Sequence, residues 1–313
     1  MYVLITINSL NYCYSYIVFL NGINSHLMII KNGILLLFLF TAIVSCKEAN
    51  QRNQDLEGDV EQTESSSQKD IETTKLKWSE EFNGTAIDTS QWNYKTGATG
   101  WGNNELQNYT DGSNVEVADG SLKIIVKKEG EGQKVGDYTS ARITSTQKVQ
   151  YGHVAIRAKM PNYKGKGIWP ALWMLGADIT EIGWPQCGEI DVMEYVSKNP
   201  DQVLQTIHSI ANNHSNGTQI STDFIALPTI EEEFHIYGLL WKEDQLQFYI
   251  DSPDNITLTI DRPEDYNNEN WPFMKEYYFI LNIAVGGNLG GEVDDLIFPA
   301  AMEIDYVRVY ELD

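Results

Sequence analysis

Gly188-Glu189-Ile190-Asp191-Val192-Met193-Glu194-Tyr195-Val196 sets three carboxylates among apolar and β-branched residues, and no Lys or Arg lies between Ile182 and Val196. In a β-strand side chains alternate faces, so Glu189 and Asp191 share one side and Ile190 and Val192 the other. Strict alternation would then send Glu194 into the core, where an unpaired carboxylate is costly. One extra residue at Val192-Met193, accommodated as a β-bulge, shifts the phase and returns Glu194 to the face of Glu189 and Asp191. That reading makes the segment a strand of a β-protein carrying a three-acid site.

Three crowded carboxyls cannot all ionise easily, so one is expected to keep its proton near neutral pH. A carboxylate beside a carboxylic acid is the equipment of a retaining glycosidase, which needs a nucleophile and a proton donor roughly 5–5.5 Å apart. The same residues also fit a solvated acidic strand face or a calcium site. Against the solvated face, the segment lacks interspersed Lys, Thr or Ser and is flanked by Trp184, Trp173 and Trp169.

Working outward, four spaced motifs occur in order: Gly100-Trp-Gly-Asn-Asn-Glu-Leu-Gln-Asn-Tyr-Thr110, Trp169-Pro-Ala-Leu-Trp-Met-Leu175, Gly183-Trp-Pro-Gln-Cys-Gly188 and Glu189-Ile-Asp-Val-Met-Glu194. Together they resemble glycoside hydrolase family 16 in its bulged E-[IL]-D-x-x-E form, over residues 77–313. Within that family they look more like the bacterial laminarinases, endo-acting β-1,3-glucanases, than the agarases or carrageenases.

The resemblance implies an all-β fold, a concanavalin A-like β-sandwich jelly roll with a concave substrate cleft. It implies Glu189 as nucleophile, Glu194 as acid/base and Asp191 between them. No cofactor is implied for catalysis. Trp184 is expected beside the nucleophile, and His208 in the cleft on the following strand, sharing a face with Thr206. Trp101, Trp169 and Trp173 are candidate stacking platforms for sugar C–H faces. Because Trp169 and Trp173 stand four apart in an apolar run, one of them is expected in the core. Asn104, Glu105 and Arg142 are polar or charged enough to hydrogen-bond sugar hydroxyls, and Asn104 and Arg142 are placed by similarity on the glycone side. A structural calcium is implied away from the cleft, held by backbone carbonyls near the first strand and a late Asp, at positions matching Glu81, Gly120 and Asp305.

The organisation of the chain fits an exported enzyme. Of its 313 residues, 44 are acidic and 22 basic, a net charge of −22 that argues against nucleic acid and suits a neutral sugar polymer. Residues 1–46 carry one charged side chain, Lys31, and the run 33–45 is short for a membrane span but fits a signal-peptide core. It ends Ile43-Val-Ser-Cys46, resembling a bacterial lipobox, with Cys46 as the lipidated residue. The expected division is thus a signal peptide over 1–45 with a true start at Met28, a tether over 46–75 and a catalytic domain over 76–313. Residues 47–75 hold eight acidic and four basic residues and no aromatics, too little apolar surface to order itself. The expected partners are a β-glucan and, through Cys46, a membrane of the cell envelope; a monomer is expected.

From Leu76 on, short segments alternate and turns are Gly-rich. Ser121–Lys127, Gly152–Met160, Tyr277–Val285 and Ile304–Tyr310 read as strands, and Phe234–Trp241 with Gln245–Asp251 as a hairpin. No segment carries a long helical period. Cys187, alone in the mature domain, reads as a small buried hydrophobe rather than a thiol nucleophile.

The rival functions are a mixed-linkage β-1,3-1,4-glucanase or a marine galactan hydrolase, and, in another class, a non-catalytic glucan-binding lipoprotein. Binding alone needs aromatics and neutral hydrogen-bonding groups, not three acids.

Overall fold

Alternation of burial along the strands builds the molecule. In Ser121–Lys128, Leu122, Ile124 and Val126 are wholly buried while their neighbours are partly exposed, the pattern of a strand with one face on a core. The computed structural model describes residues 2–9, 12–19, 75–162 and 165–312. The signal-peptide core, Cys46 and nearly all of the tether lie outside the described residues. The chain divides into two units, Met1–Glu64 and Ser65–Asp313. In the first, Tyr2–Ser9 pairs antiparallel with Tyr12–Phe19.

In the second unit two sheets share one core. The larger runs Ile256–Asp261, Gln245–Ile250, His235–Trp241, Gly152–Lys159, Ala300–Tyr310, Ser121–Lys128, Tyr138–Ser140, Gln107–Tyr109, with Leu76–Glu80 pairing to Ala300–Tyr310 and Val115–Ala118 to Ser121–Lys128. The smaller runs Ile220–Ser221, Gln202–His208, Glu189–Glu194, Ile168–Gly176, Tyr277–Val285, Arg142–Val149, Trp92–Lys95, with Ile225–Ala226 added to Gln202–His208. A single cluster of buried residues, including Leu122, Ile156 and Val307 from one sheet and Leu172, Ile190 and Leu281 from the other, fills the space between them. This is the expected sandwich. Among the described residues helix is confined to Ile179–Ile182, Gly287–Gly290 and a 3₁₀ turn at Asp295–Ile297.

The expected hairpin forms between His235–Trp241 and Gln245–Ile250. Its close packing depends on Gly238, where a Cβ would fall 1.9 Å from the Tyr249 ring. Cys187 is buried and free, and burial pushes its thiol up to about 12, so it is no nucleophile.

Candidate active site

The smaller sheet turns its outer face into a cleft, and the acidic strand lies within it. Gly188 admits the chain to that strand at φ +75°, and a Cβ there would come within 2.1 Å of the Tyr277 hydroxyl. Along the strand Met193 faces Leu172 and Asp191 faces Trp173, leaving Val192 with no opposite residue. On the other side Asp191 faces Thr206 and Glu194 faces Leu204, with the register shifted between them. The bulge therefore falls at Val192-Met193, as the cost of burying Glu194 required. Both bulge residues are wholly buried in the core. Bulging leaves a strand carbonyl without its ladder partner, and the buried amide of Gln205 donates to the Val192 carbonyl at 3.2 Å.

Glu189, Asp191 and Glu194 consequently share the cleft face. All three carboxyls are held above the usual carboxylate range, first by burial. For Glu189 the charge of Glu194 adds to the rise and the guanidinium of Arg142 opposes it. For Asp191 the charges of Glu189 and Glu194 add to burial. Glu194 is lifted to about 7, against the pull of the Trp169 indole N–H, which donates to Oε1 at 3.0 Å. Three such groups share fewer than three charges near neutrality. Glu189 is lifted to about 8 even with Arg142 beside it, and Glu194 is held lower by the side chains of Trp169 and Thr206, so the acids share the remaining protons between them.

His208 stands directly across the strand pair from Glu189. Its Nε2 lies 3.6 Å from Glu189 Oε1 and 3.4 Å from Asp191 Oδ2. Burial, helped by His214, holds it down at about 4, so it is neutral and forms no ion pair with the acids. Trp184, His208 and His214 pack as a ring cluster, with Trp184 and His214 centroids 4.8 Å apart.

Two cavities meet at Glu189, Glu194, Trp169, Asn103 and His214. One is walled by Trp101, Arg142, Trp173 and Trp184, with Glu105 and Asn282 also lining it. The other is lined by Leu204, Thr206, His208, Gln219, Ser221 and Leu289. Sugar-binding surface thus flanks the acids on both sides. The Arg142 guanidinium lies 4.9 Å from the Trp101 ring and 4.7 Å from that of Trp173, a cation held between two aromatic faces.

Several expectations need correction. Neither Trp169 nor Trp173 is core: both are half-buried and line the cleft, because residues four apart in a strand share a face. Asn104 is exposed at φ 58° and donates at 2.9 Å to Oδ1 of Asn288, which lines the second cavity, while its neighbours Asn103 and Glu105 line the first. Glu105 is buried, accepts from Gln107, Asn103 and Tyr109, and is raised mainly by burial. Asn282 accepts from the Trp173 indole at 2.7 Å and donates to the Tyr109 hydroxyl at 3.0 Å. Its signal in the sequence was a lone amide in the apolar strand Tyr277–Val285; His214, in a loop, had none.

The expected calcium positions lie elsewhere. Glu81 is held by Arg308 through two hydrogen bonds of 2.9 and 2.8 Å, and Asp305 by Arg157. Gly120 sits in a turn at φ +74°, its Cβ direction facing the side-chain oxygen of Asn83. Of the expected calcium donors only Asp305 is a side chain, and its carboxylate is engaged by Arg157.

Paired buried acids in an aromatic cleft define the class as a carbohydrate-cleaving hydrolase, and comparison with known proteins agrees. The profile of glycosyl hydrolases family 16 matches residues 102–308. A β-glucanase of Rhodothermus marinus is 39% identical over 246 residues, spanning 75% of this chain and 85% of its own. The crystal structure of a laminarinase from Flavobacterium sp. UMI-01 superposes with a TM-score of 0.69 at 44% identity, covering 76% of this chain and all of that one. A non-specific endo-β-1,3(4)-glucanase of the same family, crystallised with a glucan oligosaccharide, superposes at 0.71 with 38% identity, covering 77% and 95% of the two chains. The chain belongs to glycosyl hydrolases family 16 and has its jelly-roll sandwich.

Proposed function

We propose that the protein cleaves internal β-1,3-glucosidic bonds of laminarin-type glucan with retention of configuration. The observation that carries this reading is the bulge, which sets Glu194 on the face of Glu189 within one cleft. The Glu189 carboxylate attacks the anomeric carbon while Glu194 gives its proton to the departing glycosidic oxygen. The glycosyl ester on Glu189 is then released by water, whose proton Glu194 takes back. Asp191, buried between them, raises the cost of a second charge and so helps keep the acid protonated. Binding surface on both sides of the acids suits an endo mode of attack. The β-1,3 preference is supported by the laminarinase likeness. Release of reducing sugar from laminarin well above that from lichenan, agarose and carrageenan is expected; preference for any of the other three would overturn it.

The same proposal extends to the cell. A lipobox-like Cys46 after an apolar leader supports a lipoprotein of the bacterial envelope, held to the membrane by a lipid. Cys46→Ala should then leave the membrane fraction with its glucanase activity intact, and continued pelleting would count against the anchor. A structural calcium would have to use the main-chain carbonyls of Glu81 and Gly120 and draw Asp305 away from Arg157. Chelator should lower the melting temperature if that ion is held, because only the folded state binds it; an unchanged melt of protein shown to carry calcium would remove the role.

A further inference from the structure

We propose that Glu189, Asp191 and His208 also form a site for a borderline divalent transition-metal ion, Cu²⁺ or Zn²⁺, whose binding shuts the cleft. One donor atom from each residue lies within 4.8 Å of the other two. The donors stand on two paired strands, Glu189 directly opposite His208 and Asp191 opposite Thr206, so the sheet fixes their spacing. Asp191 is 4% exposed, yet its Oδ2 has no hydrogen-bond partner and looks toward His208 Nε2 at 3.4 Å. The ring's other nitrogen, Nδ1, is also buried without a partner. An unmet buried acceptor such as Asp191 Oδ2 is costly, and a cation there would meet it together with the Glu189 carboxylate and the Nε2 lone pair, leaving the ring proton on Nδ1.

The donor set selects the ion. Calcium and magnesium prefer six or more oxygens and gain little from an imidazole nitrogen. An imidazole with two carboxylates suits zinc and copper, with copper the tighter of the two. Binding requires ionised carboxyls, so the ion displaces the protons the acids share and binds more tightly as pH rises. No electron is transferred. The lone pair with which Glu189 attacks sugar is committed to the metal, so ion and glucan exclude one another.

The inference rests on the catalytic reading only for its consequence, since binding is read directly. In the full-length protein, Cu²⁺ should bind with nitrogen hyperfine structure in its electron paramagnetic resonance spectrum. His208→Gln should remove that structure and weaken Cu²⁺ binding by at least about tenfold, the scale on which even outer partners of a ligand matter. Laminari-oligosaccharide should displace the ion from the wild type. An oxygen-only wild-type spectrum would overturn the proposal, as would unchanged affinity in a His208→Gln variant that melts like the wild type. Should that variant not fold, the wild-type competition decides: displacement supports the site and its failure rejects it. Intact Cu²⁺ binding in a protein that leaves laminarin uncut would instead count against the glucanase reading alone.

Discussion

The side-chain amide of Gln205 donates to the Val192 carbonyl at 3.2 Å, a contact buried between the two sheets. Val192 is the residue the bulge leaves unopposed, and Gln205 also accepts from the Thr257 hydroxyl of the other sheet. A core polar residue is thereby tied to the bend that brings Glu194 into the cleft. Gln205→Leu leaves a buried carbonyl unsatisfied, a loss of about 1–3 kcal/mol. It should also displace the proton donor. Turnover of laminarin should fall more than turnover of aryl glucosides with good leaving groups, which need no protonation. Equal losses on both would make Gln205 a structural residue only.

Trp169 bears on the same acid. Its indole N–H favours the charged form of Glu194 and so holds the group below where burial alone would set it. Trp169→Phe keeps an aromatic surface and removes the donor. Glu194 must be protonated to act, so the alkaline limb of kcat/KM should move to higher pH, by about one unit for a hydrogen bond to a charged group. A limb that stays in place would assign that limb to another group.

The buried acids should weaken the fold at high pH. Glu194 is raised from 4.5 to about 7 in the folded protein, so its contribution is full below pH 4.5 and is lost as pH rises towards 7. Glu194→Gln removes the ionisation. Its stability relative to wild type should improve from pH 5 to pH 8 by roughly 2–3 kcal/mol, measured by denaturant unfolding at both values. A pH-independent difference would mean that Glu194 titrates normally.

The acidic strand was legible because a buried glutamate is expensive, which forces the bulge and with it the shared face of Glu189, Asp191 and Glu194. His208 followed, since the next strand in an antiparallel sheet must lie alongside. The core place expected for one of Trp169 and Trp173 fails because their strand is apolar on both faces, so hydrophobicity does not report which side holds the core. Asn282 and His214 reach the cleft from strands and loops distant in the chain, through pairings that no local pattern encodes. The left-handed backbone at Trp101 and Asn104, which the sequence Gly100-Trp-Gly-Asn-Asn104 hints at without fixing, sets Asn104 against Asn288 at the rim of the second cavity.

The roles of the two glutamates should separate chemically. In Glu189→Ala a small anion such as azide can attack from the vacated side and give the α-azide while Glu194 still donates its proton. In Glu194→Ala a substrate with a good leaving group should still form the ester, which azide opens to the β-azide. The α-azide from Glu189→Ala and the β-azide from Glu194→Ala are expected; the swapped pair would reverse the assignment, and the same anomer from both would void it.

The central claim is double displacement at Glu189 with Glu194 as acid/base, and the anomeric configuration of the first product tests it most directly. Proton NMR during the earliest turnovers of laminari-oligosaccharide should show the β-anomer forming first, with α appearing only as the sugar mutarotates. An α-anomer in the first turnover would mean inversion, and neither a nucleophilic Glu189 nor the ester it forms would survive that result.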